Sequence, residues 1–343
     1  MRAVVQHGYG GPERLSIEQR SEPAPARGQV LVRVDAVSPD SGTLHILTGE
    51  PRILRPVVGW RSPRQPVIGL AFAGVVEQLG AGVHGLAVGD RVAGAAPAAF
   101  AELVVARADR VARIPDSVSS VDAATLPISA STALQAVRDV ARVEAGQRVL
   151  VIGAGGGVGS FLTQLSTMRG AHVTAVVSAP KSALARELGA ERTIDYRVTP
   201  DPAQWGRHDV VIDTADGRPL SVLRRALSPC GTLVIVGADG AGGPLLDGLE
   251  RQLVASLLNP WAQQRLTSVV QRERGSDIAV LLGALASGDL RAPVDRVLSF
   301  EDAPEALRLM ADRAVAGKVV LGLAETGRGR SPEPTLELPP GFP

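Results

Sequence analysis

Lysine is almost missing from this chain. Of its 36 lysines and arginines only Lys181 and Lys318 are lysine, a compositional bias that leaves those two as places where a compact ammonium does what a guanidinium fork cannot. Cysteine is scarcer still. Cys230 stands alone, which excludes an intrachain disulfide framework and a cysteine-rich zinc lobe and suits a reducing compartment. It precedes an apolar run and reads as an inert turn residue rather than a reactive thiol. Aromatic residues make up 3% of the chain, net charge is +1, and no stretch strings basic residues together with aromatics, so no nucleic-acid partner is expected. No apolar run approaches the roughly 18 residues of a membrane span, and MRAVVQHGYGGPERL lacks the apolar centre of a secretion signal. The expectation is a soluble, cytoplasmic protein with no membrane partner.

What is plentiful is small and apolar. Over 343 positions, 45% hydrophobic content can bury a substantial core, in two domains or one large interrupted one. The first third reads as short strands (QVLVRVDAV, FAGVVEQLG, GDRVAGA, FAELVVA, DRVARIP) punctuated by Gly, Pro and Asp. Near Ser120 the spacing turns helical in SVDAATLPISASTALQAVRDVA. Strands (QRVLVIGA, HVTAVVSA, DVVIDTA, GTLVIVGA) then alternate with helices (GSFLTQLSTMRG, KSALARELG, LSVLRRALS). Those strands are apolar throughout, as a parallel sheet covered on both faces requires. From about Ser276 a helix, a strand, a helix and a last strand, GKVVLGL, return to complete the first domain. The closing ETGRGRSPEPTLELPPGFP, rich in Pro, Gly and charge, reads as an extended or disordered tail. The predicted fold class is α/β, a β-rich domain joined to a doubly wound parallel sheet.

The stretch VLVIGAGGGVGSFLTQL joins a strand to a helix through glycines spelling GxxGxxG at Gly153, Gly156 and Gly159, with Gly155 and Gly157 between. A turn without Cβ atoms lets the backbone approach a pyrophosphate held at the positive end of the helix. Glycines also serve tight turns and close packing. Here, however, a strand precedes, a helix follows, and a second strand ends about 20 residues on, as a dinucleotide site requires. Gly153, Gly156, Gly157, Val158 and Gly159 are the candidate contacts. An NAD site ends that second strand with Asp or Glu to hold the ribose hydroxyls; this chain has Ser178, followed by Lys181. An acidic residue would repel a 2′-phosphate, whereas an ammonium pairs with it through a charge-assisted bond of roughly 1.5–3 kcal/mol. The expected cofactor is NADP(H). The alternative, a solvated lysine at a helix start, sits poorly with a helix dipole that disfavours cations there.

Together with AVVQHGYGGPERL, GQVLVRVDAVS, GVVEQLGAGVHGLAVGDRV, AFAELVVA, AATLPISASTALQAV, GQRVLVIGAGGGVGSFLTQL, ALARELGAERTIDY and AGKVVL, these residues carry a resemblance. Over all but its tail the chain resembles the zinc-independent quinone-oxidoreductase branch of the medium-chain dehydrogenase/reductase superfamily. The resemblance implies a GroES-like catalytic domain (residues 1–122 and 274–325), a Rossmann NADP-binding domain (123–273) and a flexible tail (326–343). It also implies an active site between the domains and a homodimer built through the Rossmann sheets. It further implies that Lys181 and Tyr196 hold the 2′-phosphate with Ser178 beside them, and that Thr132, Thr214, Gly237 and Ala238 line the adenine and nicotinamide halves. Lys318 falls in a stretch that the family keeps close to the cofactor, with no firm role.

Zinc-dependent relatives hold their metal with Cys, His and Glu or Cys. The matching regions, AVSPDSGTLH and IGLAFAG, offer neither a thiol nor a paired His and Glu, so no metal is expected. Without a Lewis acid, alcohol dehydrogenation gives way to conjugate reduction of a small enone or quinone, whose enolate needs only hydrogen-bond donors and a proton. Against the family's NPxDWHLLxG, the stretch DSGTLHILTG has Asp40 for Asn, Thr43 for Asp and Leu44 for Trp, and keeps His45; Ala71 stands where relatives carry Asp. Asp40, Thr43 and His45 are the candidate catalytic residues. Asp40 replaces an amide that donates by a carboxylate that cannot unless protonated. Asp40 and Thr43 read equally as substrate contacts or as caps of a turn, and His45 as a proton donor or a structural histidine. Arg52, Arg55, Arg61 and Arg64 read as a solvated loop rather than a guide for an acidic substrate. The expected activity is NADPH-dependent reduction of an activated C=C bond or a quinone, in secondary metabolism. The altered motif leaves open a non-redox cyclisation or elimination, or a nucleotide-bound sensor without turnover.

Overall fold

The computed structural model describes residues 1–215, 217–237 and 263–323; Ala238 and the tail lie outside the described residues. β1 (Arg2–Gln6) and β2 (Leu15–Gln19) pair antiparallel as a ribbon. The long β3 (Gln29–Ser38) then pairs with both β4 (Ala71–Leu79) and β6 (Leu103–Arg107), and β5 (Arg91–Ala95) with β7 (Val111–Arg113), in one seven-stranded sheet. Its two faces differ in side-chain size: successive residues of a strand alternate between them, and a bulge between Val34 and Ala36 resets that alternation in β3. Val32, Val34, Phe72 and Val92 fill one core, while Ala36, Ala73, Ala93 and Ala112 face the other way. The alanine face belongs to the same continuous core as Val149, Phe161 and Ile278, so the two halves of the molecule are packed directly together.

The helical stretch runs from Ser120 to Ala141 as alternating α and π turns and leads into the second sheet. That sheet consists of β8 (Arg148–Ile152), β9 (His172–Val177), β10 (Arg192–Asp195), β11 (His208–Asp213), β12 (Leu227–Ile235) and β13 (Arg265–Ser268). All its pairings are parallel, in the order β10-β9-β8-β11-β12-β13. This is the doubly wound order, with its switch point between β8 and β11, where ligands bind beyond the carboxyl ends of the strands. Cys230 corrects one expectation. β12 begins at Leu227 rather than at Gly231, and its register jumps from Leu227 to Thr232 against β11, so Cys230 is an exposed residue of a bulge inside the strand.

After the helix Gly275–Ser287, β14 (Val294–Ser299) and β15 (Lys318–Gly322) pair parallel. β15 then runs antiparallel to β3, with Leu321 opposite Val37. The chain therefore returns to the first sheet with Lys318 at the start of its last described strand. Among the described residues no helix is long and apolar enough to cross a membrane.

Candidate functional site

The glycine turn lies between β8 and the helix α1 (Gly157–Met168), next to the switch point. Gly153 adopts φ +80°, a left-handed conformation that favours glycine. A Cβ on Gly159 would lie 2.1 Å from the Gly153 carbonyl oxygen, so the helix seats against the turn only because that atom is missing. Val158 packs at the edge of the core beneath. Thr214, just past β11, donates its hydroxyl to the Ile152 carbonyl (2.8 Å) and ties the neighbouring strand end to the turn. Bare backbone at the start of a twelve-residue helix fits a dinucleotide's diphosphate, because the unpaired N–H groups and the helix dipole both favour an anion there.

Both lysines of the chain come to this turn. A Cβ on Gly155 would stand 2.7 Å from Lys181 Cδ, and one on Gly157 would stand 2.8 Å from Lys318 Cδ. Each aliphatic stem therefore lies over one glycine. Lys181 ends a single turn that follows Ser178, the residue after β9, and its N–H donates to the Ser178 carbonyl (2.9 Å). Its Nζ donates to the carbonyls of Arg313 (3.0 Å) and Val315 (2.5 Å). Burial holds its pKa below the ordinary lysine value, against the pull of Asp295. Tyr196 follows Asp195, which pairs with Val177 across the strands, and the Arg197 and Arg218 guanidinium groups lie 5.8 and 5.9 Å from its ring. Thr132 sits on the linking helix against α1, its hydroxyl donating to Ile128 (2.7 Å). Gly237, with φ +87°, follows the end of β12.

The candidate catalytic stretch forms the helix Ser41–Thr48. Asp40 caps it: Oδ1 accepts from the Thr43 N–H (2.9 Å) and lies 3.4 Å from the Thr43 hydroxyl. Gly49, at φ +66°, closes the other end by donating to the His45 carbonyl. Thr43 is wholly buried and His45 half-buried on this helix. Asp40 is also buried, and among the described residues its Oδ2 has no hydrogen-bond partner. Burial pushes its carboxyl above the usual range, and the Lys318 ammonium and the Thr43 hydrogen bonds oppose that rise.

Lys318, which the sequence set near the cofactor without a firm role, has its contacts in this site. Its Nζ donates to the carbonyl of Pro39 (2.5 Å), next to Asp40, and to the hydroxyl of Ser129 (3.0 Å) on the linking helix. Burial lowers its pKa to about 8, and the charge of Asp40 works against that fall. The rarity of lysine was the signal available; nothing in the sequence singled out Ser129. In the arginine loop Arg52, Arg61 and Arg64 are exposed and Arg55 is half-buried. Arg55 lies 4.6 Å from the Tyr9 ring and donates to the Gly49 carbonyl, and Arg64 donates to Pro56.

Comparison with known proteins follows the same lines. Residues 26–116 match the family described as "Alcohol dehydrogenase GroES-like domain", and residues 188–321 match "Zinc-binding dehydrogenase". The chain is 31% identical over 284 residues to a chloroplastic quinone-oxidoreductase homolog of Spinacia oleracea, covering 76% of this chain and 83% of that one. The quinone oxidoreductase of Coxiella burnetii superposes with a TM-score of 0.80 at 26% identity, covering 94% of this chain and 99% of that one. A mycobacterial protein complexed with NADPH gives 0.77 at 28% identity, covering 94% and 100%. Among the described residues no three His, Cys, Asp or Glu side chains group to hold a metal ion.

Proposed function

Because the chain belongs to the quinone oxidoreductase-like branch of the medium-chain dehydrogenase/reductase superfamily, a family of oxidoreductases, we propose that it uses NADPH to reduce an activated C=C bond or a quinone. The observation that carries this reading is Lys181, laid over Gly155 at the end of a β9 that offers no acidic residue to the ribose. An ammonium has three protons, and Lys181 gives two to backbone carbonyls, leaving one for a 2′-phosphate. The NADPH of the mycobacterial relative supports the same choice.

The bound cofactor supplies a hydride. The chain's residues do the rest. The glycine turn and the start of α1 hold the diphosphate, Lys181 and Ser178 flank the 2′-phosphate, and Thr214 fixes the strand end beside the turn. The substrate's developing negative charge falls to the junction of Asp40, Thr43 and Lys318, three buried residues.

The test is product mass from a panel of enones and quinones incubated with NADPH deuterated at its transferable position. The reading expects products two hydrogens heavier, one of them deuterium. Selective NADPH binding with an unreduced panel contradicts it, and favours a non-redox enzyme or a sensor.

A further inference from the structure

Lys318 begins β15 and is 3% exposed. Two of its three ammonium protons go to neutral acceptors, the Pro39 carbonyl and the Ser129 hydroxyl. Its stem lies over Gly157, the first residue of α1, where the helix dipole also opposes a cation. Among the described residues the one charged group acting on it is Asp40, whose Oδ2 is buried and unbonded. A stitch serving stability alone would close the pair with a hydrogen bond. Instead one donor and one acceptor stay open where the capping loop, the linking helix and the glycine turn meet. A carboxylate at position 40 cannot offer an enolate the hydrogen bond that an amide would, whereas the Lys318 ammonium, held on the neighbouring Pro39 carbonyl, can.

We propose that Lys318 is the acid of the reduction, with Asp40 as its counter-charge, acting on an α,β-unsaturated carbonyl compound. This rests on the reading of the chain as a reductase. Hydride from the dihydronicotinamide adds at the β-carbon, and the C=C electron pair passes to the α-carbon and carbonyl oxygen. The Nζ–H bond of Lys318 breaks, and its proton forms the C–H bond at the α-carbon with that pair. The neutral amine then takes a proton from water. The cofactor loses two electrons as hydride, and the product gains two hydrogens. With burial bringing it to about 8, the ammonium is a usable acid near neutral pH.

Having only two lysines makes the experiment direct. Protein labelled with 13C-lysine shows two side-chain signals, assigned through Lys181→Arg. In the empty protein the Lys318 signal should titrate near 8, and Asp40→Asn, which keeps the helix cap, should move it lower. With an enone, kcat/KM should fall above the same pKa, and Asp40→Asn should shift that fall to lower pH. Lys318→Met should bind NADPH like the wild type and lose about a hundredfold or more in kcat. Lys318→Arg should not rescue it, because arginine keeps the charge but does not give up a proton. A Lys318 signal in the ordinary lysine range, an Asp40→Asn profile that does not move, or full activity in either Lys318 variant overturns the proposal and leaves the reductase reading standing. A wild type that binds NADPH but reduces no enone or quinone overturns that reading and the proposal with it.

Discussion

Lys181 reaches from the nucleotide-binding sheet to the carbonyl of Val315, three residues ahead of β15. The Gly317 N–H donates to the Gly155 carbonyl (3.0 Å) in the same segment, so residues 313–318 lie across the glycine turn with one lysine at each end. Lys181→Ala removes a cation from beside the proposed ribose site. NADPH affinity should fall by about tenfold or more while NADH affinity changes little, as loss of a charge-assisted bond of roughly 1.5–3 kcal/mol requires. Fluorescence titration with both nucleotides checks this; equal losses for the two would mean that Lys181 only stitches the domains.

Two glycines of the turn separate packing from binding. A Cβ at position 159 would meet the Gly153 carbonyl oxygen at 2.1 Å, whereas one at 156 would find nothing closer than that oxygen at 3.4 Å. Gly159→Ala should destabilise the fold itself. Gly156→Ala should melt close to the wild type yet bind the dinucleotide about tenfold or more weakly, because its methyl group stands where the diphosphate must approach. Thermal melts with and without NADPH distinguish them.

Asp40 carries a helix cap as well as its open oxygen. Asp40→Ala should cost about 1 kcal/mol of stability by denaturant titration, and Asp40→Asn much less, because Asn also caps. Equal losses would show that the cap contributes little.

Lys318 should also mark the stability curve. Its folded pKa of about 8 lies below the ordinary 10.5, so between those values the unfolded chain binds more protons and stability rises with pH. The penalty is full below that window and relieved above it, a change of about 3 kcal/mol. Relative to Lys318→Met, the wild type should gain stability across this range in urea titrations at stepped pH. A constant difference would mean that the lysine is not held depressed.

Much of this architecture could be read from residue pattern, because strands buried on both faces and glycines between strand and helix announce themselves locally. The capping of the helix by Asp40 was one of two readings that the local sequence allowed, and the Thr43 N–H in place shows the cap. The meeting of Lys318 with Pro39 and Ser129 was not legible, because it joins positions 279 and 189 residues apart through a strand that returns from the far end of the chain. The bulge at Cys230 was hidden for a related reason: register belongs to the neighbouring strand as much as to the residue.

The most direct measurement is a pair of binding isotherms for the purified protein, NADPH against NADH, followed by absorbance of the bound reduced nucleotide as an enone is added. Tighter binding of NADPH and its oxidation on addition are the predicted result. Equal affinity for the two nucleotides, or NADPH that stays reduced with every enone and quinone tried, would contradict the account.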